Sequence, residues 1–457
     1  SFTFEVEGVN GAPLPSGVTK TSGNKGTISI DPSAGKSEDI IFGDITFTQK
    51  DVADGTRKEE IKDGKKIYTF TKTFTYKVKE LGTDANGMTY DKSEKTVKIT
   101  VTDDSHGNME AKLSDDSQEL QWTNEYRSSM DYGNEAGGLE VTKTLTGRSM
   151  KAGEFGFAIT ASDSQDGNVS KEDADKLLSN SDKIFNNTSD RNSGVSETMK
   201  KLSGIKFTHE NAGKTYKFTV KESIGESGGV KYDKSEFEVA IAVKDDGDGS
   251  MHTITTVTKV KDADGNEIQN PKGTEYDSSK DQTPRVDFNN SYSVDPVSLN
   301  LDTRFTKSLL GRDWTDTDSF NFKLEGATGN EPMPQKSSVT VDYQMAKAQD
   351  KTEDEDRVSF GFGEIEFTTA GTYTYKVTED QTGSGTNGLT YDSKEATITV
   401  NVSDKDGIGK LTATPQVTHS NFENIYSANM DYAAVGGIQV TKTLNNQPLE
   451  ADKFEFT

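Results

Sequence analysis

A phrase written three times at the period of a β-strand constrains this chain more than any other feature. It reads "FTYKVKE" (74–80), "YKFTVKE" (216–222) and "YTYKVTE" (373–379). A glycine-containing loop ending in Tyr-Asp follows each copy: "GMTYDKSE" (87–94), "GVKYDKSE" (229–236) and "GLTYDSKE" (388–395). An alternating stretch comes next, "TVKITVTDD", "EVAIAVKDD" or "TITVNVSDK". Each unit then closes on an aromatic phrase, "WTNEY" (122–126), "FNNSY" (288–292) or "FENIY" (422–426). Phrases recurring in fixed order mark one supersecondary unit repeated along the chain. Their period of two makes that unit a β unit, because successive strand residues face opposite ways.

The opening phrase also recurs. "LEVTKTLTGR" (139–148) returns as "FTKSLLGR" (305–312) and "IQVTKTLNN" (438–446), and an F-x-F follows each: "EFGFAI", "SFNFKL", "KFEFT". The first residues, "SFTFEV", match that F-x-F element, so the first unit reads as lacking its opening strand and the chain as a fragment of something longer. The units are 1–127, 139–292 with an insertion at 162–203, 299–427, and a fourth that only begins at 438–457. Two types alternate. "SFTFEVEGVNGAPLP" matches "SFNFKLEGATGNEPMP" of the third unit better than anything in the second. Lys143 and Lys442 are as far apart in sequence as Glu80 and Glu379. Such alternation belongs to a tandem array.

Composition agrees. Only 30% of the 457 residues are hydrophobic, too few for one large core but adequate for several thin sandwiches. No apolar run approaches the roughly 20 residues that span a bilayer. A net charge of −24 repels phosphate, so no nucleic-acid partner is expected. Cysteine is absent, so any covalent reinforcement must use other chemistry. "SKEDADKLLSN" (170–180) predicts a short helix in the insertion of the second unit, since Ser170 and Asp173 form a capping pattern. Residues 342–349 predict another helical turn. The connectors "RSSMDYGNEAGG" and "SVDPVS" are short, which limits bending.

Strand parity exposes an anomaly. In "LEVTKTLTGR", Leu139, Val141, Lys143 and Leu145 share one face. The same holds for Leu299, Leu301, Phe305, Lys307 and Leu309, and for Ile438, Val440, Lys442 and Leu444. The middle phrase sets Glu80, Glu222 and Glu379 on the aromatic face of their strands. The closing phrase sets Asn124 between Trp122 and Tyr126, Asn290 between Phe288 and Tyr292, and Asn424 between Phe422 and Tyr426. In "FNNSY" parity selects Asn290 over Asn289.

Each complete unit thus aims a lysine, a glutamate and an asparagine at its own core. An unpaired buried charge is costly. Burial lowers a lysine pKa and raises a glutamate pKa, favouring the neutral form of each. A neutral amine is a nucleophile, and a protonated carboxyl can hydrogen-bond an amide and shuttle protons. An amine held against the asparagine amide can attack Cγ and expel ammonia, leaving a Lys–Asn isopeptide bond. Confinement in a packed core supplies the effective concentration this slow reaction needs. The bland reading is a lysine that snorkels to water beside a pairing glutamate. It does not call for the asparagine.

In combination, "VTKTL-x-GR", "YTYKV-x-E", "G-x-x-YD" and "F-x-N-x-Y" resemble the isopeptide-linked domains of Gram-positive pilins and surface adhesins, the streptococcal pilin-type linkage domain. The resemblance covers nearly the whole chain. It implies an all-β fold of tandem immunoglobulin-like, CnaB-type β-sandwiches whose first and last strands lie side by side. It places the linking lysines at Lys143 and Lys307, the linking asparagines at Asn290 and Asn424, and the catalytic glutamates at Glu222 and Glu379. Glu80 and Asn124 then lack a lysine in their own unit, and Lys442 stands alone. The third unit departs slightly, with "RFTKSL" in place of "VTKTL". The family's wall-sorting motif and a pilus-polymerising lysine motif are not recognisable, which favours a non-polymerised stalk.

The expected function is mechanical: the stalk of a bacterial cell-surface adhesin or pilus-like fibre, extracellular and wall-associated. The expected partners are neighbouring repeats of the same chain, with any host ligand held by other domains. The reaction occurs once per site, so the chain is not expected to be an enzyme, and no cofactor or metal is called for. One rival is a ligand-binding adhesin module using the 162–203 insertion, since loops carry binding. Another is a calcium-stiffened repeat using "KDDGDGS" (244–250) or "DADGNE" (262–267). Counting from Asp262, however, the twelfth position is Gly273, where an EF-hand loop needs glutamate, and Asp-Gly pairs are ordinary hairpin turns. A hydrolase is disfavoured, because His106, His209, His252 and His419 fall into no metal or triad spacing.

Overall fold

The computed structural model describes residues 1–31, 37–164, 168–179 and 181–457. Strands dominate, and the helices are short. The chain forms two compact units, residues 1–224 with 232–290, and residues 225–231 with 291–457.

In the first unit, Phe2–Gly8 lies between Lys25–Ile30 and Lys65–Leu81, setting Phe4 opposite Glu80 and Val6 opposite Val78. The sheet continues through Glu94–Asp103 to Met109–Leu113. Val6, Phe74, Tyr76, Val78 and Val101 form its buried face. The closing strand Glu125–Tyr126 pairs with Met88–Thr89 in a two-stranded sheet.

The second repeat is a sandwich. One sheet runs Ile184–Asn186, Gly156–Ser162, Thr215–Glu222, Glu236–Asp245, Met251–Lys261, Gly273–Asp277. Facing it, Leu139–Thr146 lies between Glu197–Lys201 and Arg285–Tyr292. Alternation decides burial: in Glu236–Asp245 the buried residues are Phe237, Val239, Ile241 and Val243. The helix Lys171–Leu178 starts where Ser170 Oγ accepts the Asp173 amide, and it buries Ala174 and Leu178. Positions 165–167 and 180 of the insertion lie outside the described residues.

The connector after the first repeat is built into the second. Ser129–Asp131 pairs with Lys206–Thr208. Tyr132 is fully buried, and its hydroxyl bonds Thr255 Oγ1 at 2.9 Å. A connector that adds a strand and a buried tyrosine is part of the domain it precedes.

In the second unit, one sheet runs Ser338–Asp342, Ser319–Gly326, Gly371–Glu379, Ala396–Ser403, Thr412–Thr418. Pro415 sits in the outermost of these strands, where a missing N–H costs no ladder bond. The facing sheet runs Arg357–Phe360, Phe305–Leu310, Asn421–Tyr426, Leu389–Thr390. The first and last long strands, Phe305–Leu310 and Asn421–Tyr426, are parallel neighbours, with Lys307 opposite Phe422 and Leu309 opposite Asn424. The face read through Leu299–Leu309 is not one strand. Val297–Asn300 pairs with Glu364–Phe367, and the Asn300 side chain accepts the Asp302 amide to turn the chain before Phe305. Leu299, Leu301, Phe305, Lys307 and Leu309 are nonetheless all buried. The helix Tyr343–Ala348 follows an Asp342 cap. Residues 438–457 form no strand and are mostly exposed.

Candidate functional site

Parity delivers each polar side chain to the sandwich interior. Leu139–Thr146 buries Leu139, Val141, Lys143 and Leu145. Thr215–Glu222 buries Tyr216, Phe218, Val220 and Glu222, while Arg285–Tyr292 buries Val286, Phe288 and Asn290 and leaves Asn289 outside. The three polar groups meet. Lys143 Nζ donates to Glu222 Oε2 at 2.9 Å, and Asn290 Nδ2 donates to Glu222 Oε1 at 2.7 Å. The Lys143 and Glu222 side chains are both 0% exposed.

The third repeat repeats this geometry. Lys307 Nζ donates to Glu379 Oε2 at 3.0 Å, and Asn424 Nδ2 donates to Glu379 Oε1 at 2.7 Å. Here too both charged side chains are 0% exposed. In each site one carboxyl group holds the amine on one oxygen and the amide on the other.

Burial dominates the electrostatics. It drives Lys143 below the ordinary lysine range against the opposing pull of Glu222. It lowers Lys307 to about 8, and it raises Glu222 and Glu379 above the ordinary carboxylate range. Every shift favours an amine beside a carboxylic acid over an ion pair.

Two further groups complete the site. The Asp233 backbone N–H donates to Asn290 Oδ1 at 2.7 Å, and the Asp392 N–H donates to Asn424 Oδ1 at 2.8 Å. That bond fixes which way the amide points and stands where negative charge develops when Cγ is attacked. The aspartate side chains hold the loop: Asp233 accepts from the amides of Ser235 and Asn289. An aromatic ring covers each amine. Lys143 Nζ is 4.6 Å from the Phe155 ring centre and Lys307 Nζ is 4.8 Å from that of Phe320. Tyr232 and Tyr391 stand edge-on to those rings. Sequence reasoning assigned no role to these residues, although both signals were present: the recurring Tyr-Asp and the first Phe of each F-x-F.

The first repeat has two of the three groups. Asn124 Nδ2 donates to Glu80 Oε1 at 2.7 Å, and the Asp91 N–H donates to Asn124 Oδ1 at 2.9 Å. Burial raises Glu80 above the ordinary carboxylate range. Its Oε2 is buried without a hydrogen-bond partner. Lys442 lies in the exposed segment, its Nζ 4.6 Å from the Phe454 ring centre.

The acidic hairpin of the second repeat is otherwise engaged. Asp245 accepts from Tyr126 Oη at 2.6 Å on one oxygen and from Ser128 Oγ at 2.5 Å on the other. Among the described residues, no group of three or more His, Cys, Asp or Glu side chains is placed to hold a metal ion. No helix among them is long and apolar enough to cross a membrane.

A family model described as the Spy0128-like isopeptide containing domain, FctA, matches residues 1–127, 139–293 and 303–427. No curated protein matches the chain. Among solved structures, the major pilin T-13 of Streptococcus pyogenes is similar, with 16% identity over 63% of this chain and 94% of the pilin, at a TM-score of 0.23. Another S. pyogenes major pilin has 16% identity over 63% of this chain and 98% of its own, at 0.20. The pilus-presented adhesin Spy0125 (Cpa) has 10% identity over 65% of this chain and 99% of its own, at 0.13. The family match, not these superpositions, carries the assignment.

Proposed function

Because the chain belongs to the FctA family of Spy0128-like isopeptide-containing domains, we propose that it is a load-bearing stalk segment of a bacterial surface fibre. In this reading its second and third repeats close themselves with Lys143–Asn290 and Lys307–Asn424 isopeptide bonds. The family is structural rather than catalytic, and a role in a pilus or adhesin goes with it. The observation that carries the cross-linking is the shared carboxyl: Glu222, like Glu379, binds its lysine and its asparagine on its two oxygens in a dry core.

The chemistry follows from that arrangement. The neutral amine attacks the asparagine Cγ, and a C–N bond forms. Oδ1 takes the negative charge and is stabilised by the Asp233 or Asp392 N–H. The glutamate carboxyl accepts a proton from the attacking nitrogen and delivers one to Nδ2. The Cγ–Nδ2 bond breaks and ammonia leaves, so amine plus primary amide become secondary amide plus ammonia. The glutamate ends as it began, and each site reacts once.

A bond between Lys307 and Asn424 joins neighbouring parallel strands at the two ends of the third repeat. Tension on a tandem array enters through those strands, so the bond carries it past the rest of the sandwich. Like a disulfide, such a link also restricts the unfolded chain, and it requires no oxidant. In this reading the protein works outside the cell, at the surface. Intact mass tests the chemistry: the full chain should weigh two ammonias less than its sequence. A mass equal to the sequence mass overturns the cross-linking.

A further inference from the structure

The outer face of the six-stranded sheet in the second repeat holds a lysine largely out of water. Tyr216 and Phe218 are core residues, so Lys217 between them faces outward. It is nonetheless only 8% exposed, where a surface lysine ordinarily extends into solvent. Lys217 lines a groove of about 500 Å³, a size within the range of small-molecule sites. Strand register shows how the groove arises. Lys217, Ala240 and Thr256 stand side by side on neighbouring strands, and Glu238 and Thr258 form the next rung. The short Ala240 leaves space between its neighbours. At the matching places the first repeat pairs Thr75 with Lys98, and the third aligns Thr374, Thr399 and Gln416. A plain cross-strand ion pair would not need the alanine gap beside it.

The rim is also particular to this repeat. Ser164 comes from the insertion, and Pro271 from the loop that leads into Gly273–Asp277. That strand is an addition, since the described sheets of the first and third repeats end at Met109–Leu113 and Thr412–Thr418. Gly273 lets it close in: a Cβ there would lie 2.4 Å from Thr256 Cγ2. The polar groups suit a sugar. Lys217 Nζ lies 2.8 Å from Glu238 Oε1, about the separation of adjacent hydroxyls on a sugar ring. The pair carries no net charge to attract an ion, yet it sets a pure donor beside a pure acceptor. A hydroxyl both donates and accepts, so neighbouring hydroxyls can bond both groups at once. Lysine has three donors and a carboxylate several lone pairs, so their mutual contact survives. Thr256 and Thr258 add hydroxyls to the floor, and Val260 and Pro271 offer apolar surface to ring C–H groups.

We infer that this groove binds an uncharged, disaccharide-sized glycan segment, with a vicinal diol held across Lys217 and Glu238. The site adds a ligand-holding role to a stalk repeat and is independent of the Lys–Asn chemistry.

Saturation-transfer NMR on the full chain tests it, with lactose, maltose and cellobiose as neutral probes and sialyllactose as the acidic one. Transfer to the ring protons of at least one neutral disaccharide is expected, with no stronger binding of sialyllactose. Two variants carry residues that other repeats already hold at these places. Ala240→Lys fills the groove as Lys98 would, and Lys217→Thr removes the donor, matching Thr75 and Thr374. Each should weaken binding by roughly tenfold or more with the melting temperature near that of the wild type. No transfer to any neutral sugar overturns the inference. So does undiminished transfer in either variant with an unchanged melting temperature, which would put the sugar elsewhere. Tighter binding of sialyllactose overturns the uncharged ligand and makes Lys217 a site for an anion. None of these readouts involves ammonia loss, so failure here leaves the cross-linking reading standing.

Discussion

Lys143 Nζ and Glu222 Oε2 are 2.9 Å apart with neither side chain touching water. Such a pair is poor support for a fold unless something further is gained, because desolvating two charges offsets most of their attraction. In the cross-linking reading the gain is chemical, and the stability consequences separate from it. Glu222→Ala should leave Lys143 a free amine buried without its partner, stop ammonia loss at this site, and cost about 1–3 kcal/mol for the unsatisfied buried group. Loss of a link closing a loop of about 150 residues adds about 5 kcal/mol. Adding Lys143→Met should recover part of the thermal stability and none of the ammonia loss. Differential scanning calorimetry with intact mass reads both quantities. Full recovery of the melting temperature in the double variant would mean that no covalent link had been lost.

Titration offers a second check. Asn424→Ala removes the electrophile and leaves Lys307 facing Glu379 as free groups. Burial lowers Lys307 to about 8, against about 10.4 for an unfolded lysine. Between those values the unfolded chain binds more protons, so stability must rise with pH. Glu379 is raised, so its contribution is complete below the ordinary carboxylate pKa and is lost as pH rises through the folded value. Asn424→Ala should therefore gain stability from pH 8 to 10.5 relative to Asn424→Ala/Lys307→Met, by up to roughly 3 kcal/mol. Parallel curves for the two variants would show Lys307 to be an ordinary solvated cation.

The trio itself was legible because a strand's period of two is strict. Once alternation placed Lys307, Glu379 and Asn424 on apolar faces, a common meeting point followed, and parity alone separated Asn290 from Asn289. The backbone amide of Asp392 was not legible. An N–H has no residue type, so "YD" looked like turn punctuation although it orients the amide. Nor could parity foresee the break at Asp302, since Asn300 and Asp302 form a side-chain-capped turn that keeps the apolar spacing on both sides. The 127–138 connector likewise looked like a spacer. Its role in the second repeat depends on Tyr132 finding Thr255, far away in sequence.

That connector leads to a third prediction. Tyr126 and Ser128 both donate to Asp245, and the Gly249 N–H donates to Tyr126 Oη at 3.2 Å. Gly249 has a φ of +87°, and a Cβ there would lie 2.5 Å from the Gly87 nitrogen. Only glycine allows this approach. Tyr126→Phe leaves the Asp245 carboxylate short of a donor, at a cost of about 1–3 kcal/mol. Amide exchange across 126–132 should quicken while the second-repeat core stays protected. Burial raises the Asp245 pKa, but the two hydroxyls outweigh it and hold the group below its ordinary value. Its contribution is therefore present above about pH 4 and lost as pH falls through the folded value. Unchanged exchange in Tyr126→Phe would remove this contact as a brace.

The same hairpin bears on calcium. Besides Asp245, Asp248 accepts from the Ser250 amide, and Asp246 accepts from Ser250 Oγ at 3.3 Å. These carboxylates are committed to hydroxyl and amide partners. Excess chelator should therefore leave the melting temperature of the chain unchanged, and added calcium should not raise it. A chelator-dependent drop of several degrees would restore the calcium-stiffened reading.

Mechanical loading tests the stalk reading directly. Lys307 and Asn424 stand at the two ends of the third repeat on neighbouring parallel strands. With a covalent bond between them, tension cannot extend the intervening chain, whatever happens to the hydrogen bonds of the sandwich. Pulling a tether through the full chain should show no extension step for this repeat. In Glu379→Ala the strands are held only by hydrogen bonds and packing. One new step should then appear, lengthened by the chain between the two positions at about 3.3–3.6 Å per residue. Glu222→Ala should add a separate step for the second repeat, and the double variant should show both. A wild-type chain that already extends by these lengths would leave the shared carboxyls without a mechanical role.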